Sequence, residues 1–114
     1  MLFICSKNRL RSPTAERVFS GWPGIEAASA GLDASAIKPV TPEVLEWADT
    51  IFVMEKSHRS KLSQNFRAHL KSQRVICLNI PDIYEYMDPR LVRLLKVIVP
   101  KHLGLSGASG GTAT

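Results

Sequence analysis

Apolar strands alternating with amphipathic helices predict a three-layer α/β domain built on a four-stranded parallel sheet. Two observations carry this prediction. Four short apolar runs, at 1–5, 25–30, 50–54 and 74–80, are spaced with helical patterns between and after them. Three of the helical patterns open on a cap residue followed by proline: Ser12-Pro13, Thr41-Pro42 and Asp88-Pro89. Proline suits the first helical turn because its missing N–H leaves no bond unmade there.

Each element has its own warrant. Residues 1–5 are apolar throughout and end on Cys5, as a strand buried on both faces should. No leading segment is expected ahead of a strand that starts at Met1. Ser12 is placed to cap the first helix, whose apolar side is Ala15, Val18 and Phe19, with Trp22 beyond; Gly21 and Pro23-Gly24 end it. The small residues of 25–30 suit a closely packed strand, and 31–40 reads as loop. Val44, Leu45, Trp47 and Ala48 give a short amphipathic helix, followed by the β-branched and aromatic strand at 50–54. Leu62, Phe66 and Leu70 recur every four residues, which predicts a helix over 57–71. The last helix starts at Pro89, faces Leu91, Val92, Leu94 and Leu95 inward, and is expected to stop at Pro100. The domain then spans 1–103, and the Gly, Ser, Ala and Thr of 104–114 read as a flexible tail.

The chain has 114 residues, enough for one domain. No apolar run approaches the roughly 18 residues of a membrane span, and a signal peptide's charged start and cleavage site are absent. Two cysteines make no disulfide framework, so a reducing, cytoplasmic setting is expected. The net charge of +5 favours anionic partners. No acidic residue falls between Glu55 and Asp82, where Lys56, Arg59, Lys61, Arg67, Lys71 and Arg74 cluster. This 56–74 segment reads either as a solvated helix face or as a docking surface for nucleic acid or an acidic protein.

The chemistry concentrates in the loop Cys5-Ser6-Lys7-Asn8-Arg9-Leu10-Arg11-Ser12, between the first strand and first helix. In a parallel sheet such a loop lies at the carboxyl ends of the strands, where ligands bind. Five residues between Cys5 and Arg11 let successive backbone N–H groups curl around an anion. The helix dipole and nearby cations lower a thiol's pKa, and the thiolate is the nucleophile. Arg11 can grip two phosphoryl oxygens at once. Ser12 is placed to hydrogen-bond the thiolate, and Asn8 best tolerates a left-handed backbone. Cys77 reads as core, His58, His69 and His102 as surface residues without metal-ligand spacing, and Trp22 and Trp47 as packing.

Cys5 to Glu16 resembles the phosphate-binding loop of the low-molecular-weight protein tyrosine phosphatases, and Ala28-Ser-Ala-Gly31 and Ile51 to Ser57 extend the likeness. The resemblance implies strand order 2-1-3-4 and a phosphocysteine mechanism that uses no metal or other cofactor. It implies as substrate a phosphotyrosine protein or a small aryl phosphate, with Ser6, Lys7, Asn8, Arg9, Leu10 and Ser12 holding the phosphate. It also implies a general acid after the fourth strand, which Asp82 matches in Pro81-Asp82-Ile83-Tyr84, with Tyr84 walling the pocket. Asp88 is the rival acid, although it reads better as the cap of the last helix, before Pro89 at the first helical position.

Several positions depart from the family. Lys7 stands where glycine is usual, either straining the loop or adding charge at its rim. Leu10 replaces a second cysteine, and 31–42 is short and without aromatics. Two other functions fit part of the pattern: an arsenate reductase, which needs a relay of further cysteines, and a non-catalytic module that binds phosphorylated or nucleic-acid ligands. Without a neighbouring thiol to trap it as a disulfide, Cys5 is expected to climb further up the oxidation ladder. After peroxide treatment a thiol reductant should restore only part of the titratable Cys5; full recovery would count against this.

Overall fold

The computed structural model describes residues 1–104, so the tail at 105–114 lies outside the described residues. Four strands, β1 (Leu2–Cys5), β2 (Ala28–Gly31), β3 (Thr50–Val53) and β4 (Arg74–Cys77), form one all-parallel sheet in the order β2-β1-β3-β4. Four helices connect and flank them: α1 (Arg11–Ser20), α2 (Pro42–Trp47), α3 (Lys56–Phe66) and α4 (Pro89–His102). The fold class and strand order are those expected.

The sheet is covered on both faces, and alternation along each strand divides the core in two. Phe3, Cys5, Phe52 and Met54 face Phe19 of α1 and Leu91, Leu95 and Val99 of α4. Leu2, Ile4, Ile51 and Val53 face Leu45 of α2 and Leu62 of α3. Phe3 sits between Phe19 and Phe52, with ring centroids 5.7 and 5.2 Å away. All three rings are fully buried, so this stack pins α1 over the β1–β3 pair. The chain leaves β1 for β2 on one side and returns to β3 on the other, which opens a crevice at the carboxyl ends of β1 and β3.

Several boundaries differ from expectation for local reasons. β2 begins at Ala28 because its partner β1 begins at Leu2, in register with it. Residues 25–27 therefore have no strand opposite them, and the amino terminus instead bonds the Glu26 carbonyl at 2.7 Å. β4 ends at Cys77, although the Leu78 and Ile80 N–H groups still reach β3-side carbonyls, because Asn79 turns left-handed (φ 55°). The helix expected over 57–71 starts one residue earlier and ends at Phe66, continuing as a 3-10 turn at Arg67–His69. α4 runs past Pro100 to His102, since proline removes only its own N–H bond and the turn closes through Leu103. Cys77 is half-buried, packs at the edge of the core shared with α2 and α3, and its thiol donates to Asn79 Oδ1. Trp47 is 44% exposed and Trp22 packs edge-on against Phe19. No helix among the described residues is long and apolar enough to cross a membrane.

Gly31, on β2, has no room for a side chain. A Cβ there would lie 2.5 Å from Ala36 Cβ, 2.6 Å from the Ser6 carbonyl and 3.0 Å from the Asn8 nitrogen. Two of these are backbone atoms of the Cys5 loop, which cannot move without reshaping it. Gly31→Ala should therefore destabilise the fold by about 1–3 kcal/mol through overpacking. A urea melt reads this as a lower midpoint, and an unchanged midpoint would refute it.

Candidate active site

The loop after β1 is shaped by where its carbonyls go. The carbonyls of Cys5, Ser6 and Lys7 accept from the N–H groups of Leu32, Asp33 and Ile37, at 3.0, 2.9 and 3.1 Å. Those carbonyls thus point toward the 31–40 segment. Among the described residues, no N–H of residues 6–10 donates to a backbone carbonyl. The left-handed position is Asn8 (φ 56°), as expected from its side chain. Lys7 is not left-handed, so it does not strain the loop. Its ammonium instead lies at the rim, 3.0 Å from both the Asp33 carboxylate and the Ser35 hydroxyl. Asp33 is held well below the usual carboxylate range by Ser35 and then by Lys7.

The loop encloses a cavity of about 230 Å³ lined by Cys5, Ser6, Lys7, Arg9, Leu10, Arg11 and Asp82. Asn8 and Ser12 lie beneath it, both buried. Ser12 is inside α1 and makes no cap; the cap position is Leu10. Its hydroxyl instead meets Cys5 Sγ at 2.9 Å. A directional chain fixes that hydroxyl. Ser29 donates to Glu16, so Ser29 Oγ accepts from Asn8 Nδ2, which also donates to Ser12 Oγ at 3.0 Å. Ser12 accepts from Asn8, leaving its own proton free to point at the sulfur. Burial raises the Glu16 pKa, but hydrogen bonds from Ser29 and Lys38 outweigh this and hold it below the usual range. The Asn8 Oδ1 atom has no partner, a cost of about 1–3 kcal/mol accepted to aim both amide hydrogens.

Arg11 is 4% exposed, and its Nη1 donates to both the Glu55 carboxylate and the Ile80 carbonyl. Glu55 follows β3 and Ile80 follows β4, so one guanidinium ties three strand ends together. Nε and Nη2 make no hydrogen bond among the described residues, and Nε lies 3.6 Å from Asp82 Oδ1. The hydrogen bond from Arg11 is the main cause of a lowered Glu55 pKa.

Glu55 and His58 are the residues that sequence reading missed. His58 is buried, not a surface residue. Its Nδ1 accepts from the Glu55 N–H at 3.1 Å and its Nε2 meets Ser6 Oγ at 3.0 Å. The readable signal was a carboxylate directly after a buried apolar strand, at the same sheet end as Cys5. Burial, then the Arg11 charge, lowers the His58 pKa, so the ring is neutral at pH 7. With Nδ1 accepting, the neutral ring carries its proton on Nε2 and donates to Ser6. The Ser6 hydroxyl proton is then free to turn into the cavity.

Tyr84 does not line this cavity. Its ring lies under the Arg90 guanidinium, 5.5 Å away, and packs on the α1–α4 core, because Arg90 in the first turn of α4 draws it there. Asp88 does not line it either. It caps α4, accepting from the Arg90 N–H at 2.9 Å and pairing with the Arg90 guanidinium at 2.8 Å. The six basic residues of 56–74 are all exposed, and Arg59 and Arg74 each donate to a backbone carbonyl, of Val75 and His102.

Residues 1–73 match the family described as low molecular weight phosphotyrosine protein phosphatase. The chain belongs to that family. Among solved structures it is similar to the tyrosine phosphatase Wzb from Escherichia coli K30 in complex with phosphate, at 26% identity and TM-score 0.60. That match covers 82% of this chain and 88% of the other. Vibrio vulnificus Wzb in complex with benzylphosphonate shares the fold at 24% identity and TM-score 0.65, over 83% and 88% of the two chains. The YwlE arginine phosphatase from Geobacillus stearothermophilus shares it at 19% identity and TM-score 0.69, over 90% and 92%. No curated protein sequence matches the chain.

The His58 environment has a pH signature. Its folded pKa lies below the ordinary 6.5, so below that pH the unfolded chain binds more protons than the folded one. The stabilisation is complete above pH 6.5 and lost as pH falls toward the folded value. Denaturant melts from neutral pH down to about pH 5 should show the wild type losing stability faster than His58→Asn. Parallel curves would contradict this.

Proposed function

We propose that the protein is a phosphomonoester hydrolase acting on phosphotyrosine in proteins, or on small aryl phosphates, through a phosphocysteine intermediate. The observation that carries this reading is the single cavity joining Cys5, Arg11 and Asp82, with the Ser12 hydroxyl directed at the sulfur. Membership of the family and the fold shared with tyrosine phosphatases support it.

In the first step the Cys5 thiolate attacks phosphorus and the bond to the leaving oxygen breaks. The Asp82 carboxyl passes its proton to that oxygen. Arg11, through Nε and Nη2, and the amides of residues 6–10 take the charge on the transferring phosphoryl oxygens. Ser6, its hydroxyl freed by His58, adds a donor. In the second step the Asp82 carboxylate takes a proton from water, whose oxygen attacks phosphorus as the P–S bond breaks. The thiolate that leaves is stabilised by Ser12 and by the α1 N-terminus.

Arg9 supplies the positive charge at the rim, where Lys7 is paired with Asp33, while Leu10 supplies an apolar wall. Two free thiols fit a reducing compartment such as the cytoplasm. Arsenate reduction is less well supported, because it needs a thiol relay and Cys77, on β4, is already hydrogen-bonded to Asn79.

Hydrolysis of an aryl phosphate with a chelator present tests the mechanism. Cys5→Ser should abolish turnover, and Asp82→Ala should lower kcat by about a hundredfold or more where the leaving group is poor. Asp88→Ala should lower stability as a lost helix cap, with little change in kcat. Turnover surviving Cys5→Ser, or lost in Asp88→Ala and kept in Asp82→Ala, would overturn the assignments. Phosphopeptide binding without turnover would favour a non-catalytic module.

A further inference from the structure

A second cavity, of about 730 Å³, adjoins the first. Arg9 lines both, so the two share a wall residue. Its walls include Arg9, Arg17, Lys38, Glu16, Ile37 and Tyr86. Lys38 and Glu16 pair with each other at 3.0 Å and cancel. Arg9 and Arg17 are exposed and make no ion pair or side-chain hydrogen bond among the described residues. Beside these cations stand two uncovered apolar groups, Ile37 at 68% exposure and Tyr86 at 48%. The cavity thus presents two guanidinium forks next to apolar surface, and nothing in the phosphoryl chemistry uses Arg17, Ile37 or Tyr86.

We propose that this second cavity receives the peptide segment flanking the phosphorylated residue and selects flanks that carry carboxylates beside an apolar residue. This rests on the reading of the protein as a phosphatase of protein substrates. Guanidinium forks match carboxylates bidentately, which gives the charge complementarity its geometry. An extended peptide advances about 3.3 Å per residue, so residues one to three positions from the phosphorylated one lie about 3–10 Å beyond it, on the scale of a neighbouring cavity that shares Arg9. A small aryl phosphate has no flank and would fill only the first cavity. Arg17 is therefore a specificity residue that small substrates do not sense.

Three substrates separate the possibilities: p-nitrophenyl phosphate, a phosphotyrosine peptide with Asp and Glu flanks, and the same peptide with Asn and Gln flanks. At low ionic strength the acidic peptide should have the higher kcat/KM by about threefold to tenfold, chiefly through KM. Added salt should shrink that preference. Arg17→Glu should abolish or reverse it and Arg17→Ala weaken it, both leaving p-nitrophenyl phosphate turnover unchanged. Equal kcat/KM for the two peptides, or a preference that survives Arg17→Glu, overturns the proposal even when p-nitrophenyl phosphate is hydrolysed. Failure to hydrolyse all three would instead refute the phosphatase reading. Affinities of the two phosphopeptides for Cys5→Ser then decide the docking question independently: tighter binding of the acidic peptide supports it, and equal binding overturns it.

Discussion

A single buried guanidinium sets the geometry of this protein. Arg11 comes from the first turn of α1, yet its Nη1 is spent on Glu55 after β3 and the Ile80 carbonyl after β4. Leaving such a charge buried and unpaired would cost about 3–5 kcal/mol, a large part of a small domain's stability. The ends of β1, β3 and β4 are therefore not free to drift apart. Nε and Nη2 of the same residue make no hydrogen bond among the described residues, so the edge that anchors the fold differs from the edge turned toward Asp82 and the cavity. Lysine, with a single ammonium on a flexible stem, could not divide the work this way.

Two hydrogen-bond chains converge on the loop from opposite sides. One starts at the charged Glu16 and passes through Ser29, Asn8 and Ser12 to the Cys5 sulfur. The other starts at the Glu55 N–H and passes through the neutral His58 ring to Ser6. In each, one group that can only accept or only donate fixes the sense of every hydroxyl after it. Glu16 must accept, so Ser12 is left able to donate to sulfur. The Glu55 amide must donate, so Ser6 is left able to donate into the cavity. Both serines can thus present protons toward the cavity and the sulfur, and among the described residues neither hydroxyl is hydrogen-bonded to a lysine or arginine. Dipoles fixed in advance need no reorganisation when charge develops.

How much of this was legible in the sequence differs by the kind of interaction. The sheet was readable because parallel strands buried on both faces are apolar runs, and Leu2 to Cys5 and Thr50 to Val53 are such runs. The loop was readable because its parts are local: Cys5, Arg11 and Ser12 lie within one strand-to-helix connection. Strand ends were not, because they depend on partners far away in sequence. Ile25 has the composition of a strand residue but no neighbour on β1, and Asn79 ends β4 through a backbone angle. His58 was misplaced for the same reason. Its role exists only because β3 and the Cys5 loop end side by side, bringing Ser6 within 3.0 Å across 52 positions of chain. Tyr84 shows the converse, since spacing from Asp82 suggested a pocket wall while Arg90, invisible to that spacing, draws the ring toward α4.

The Lys7 departure from the family pattern sits where the fold leaves freedom. The backbone burden of the loop falls on Asn8, whose positive φ is supported by bonds to Ser12 and Ser29, so the preceding position need not be glycine. Lys7 uses that freedom to reach Asp33, and the pair neutralises itself at the rim. The uncompensated positive charge beside the cavity then belongs to Arg9, at the junction of the two cavities, and continues into Arg17. Charge at the mouth is thus displaced to one side, away from the Asp33 edge. A ligand carrying negative charge beyond its phosphoryl group would be drawn across that junction, which makes direction of approach, and not phosphate affinity alone, a property of the surface.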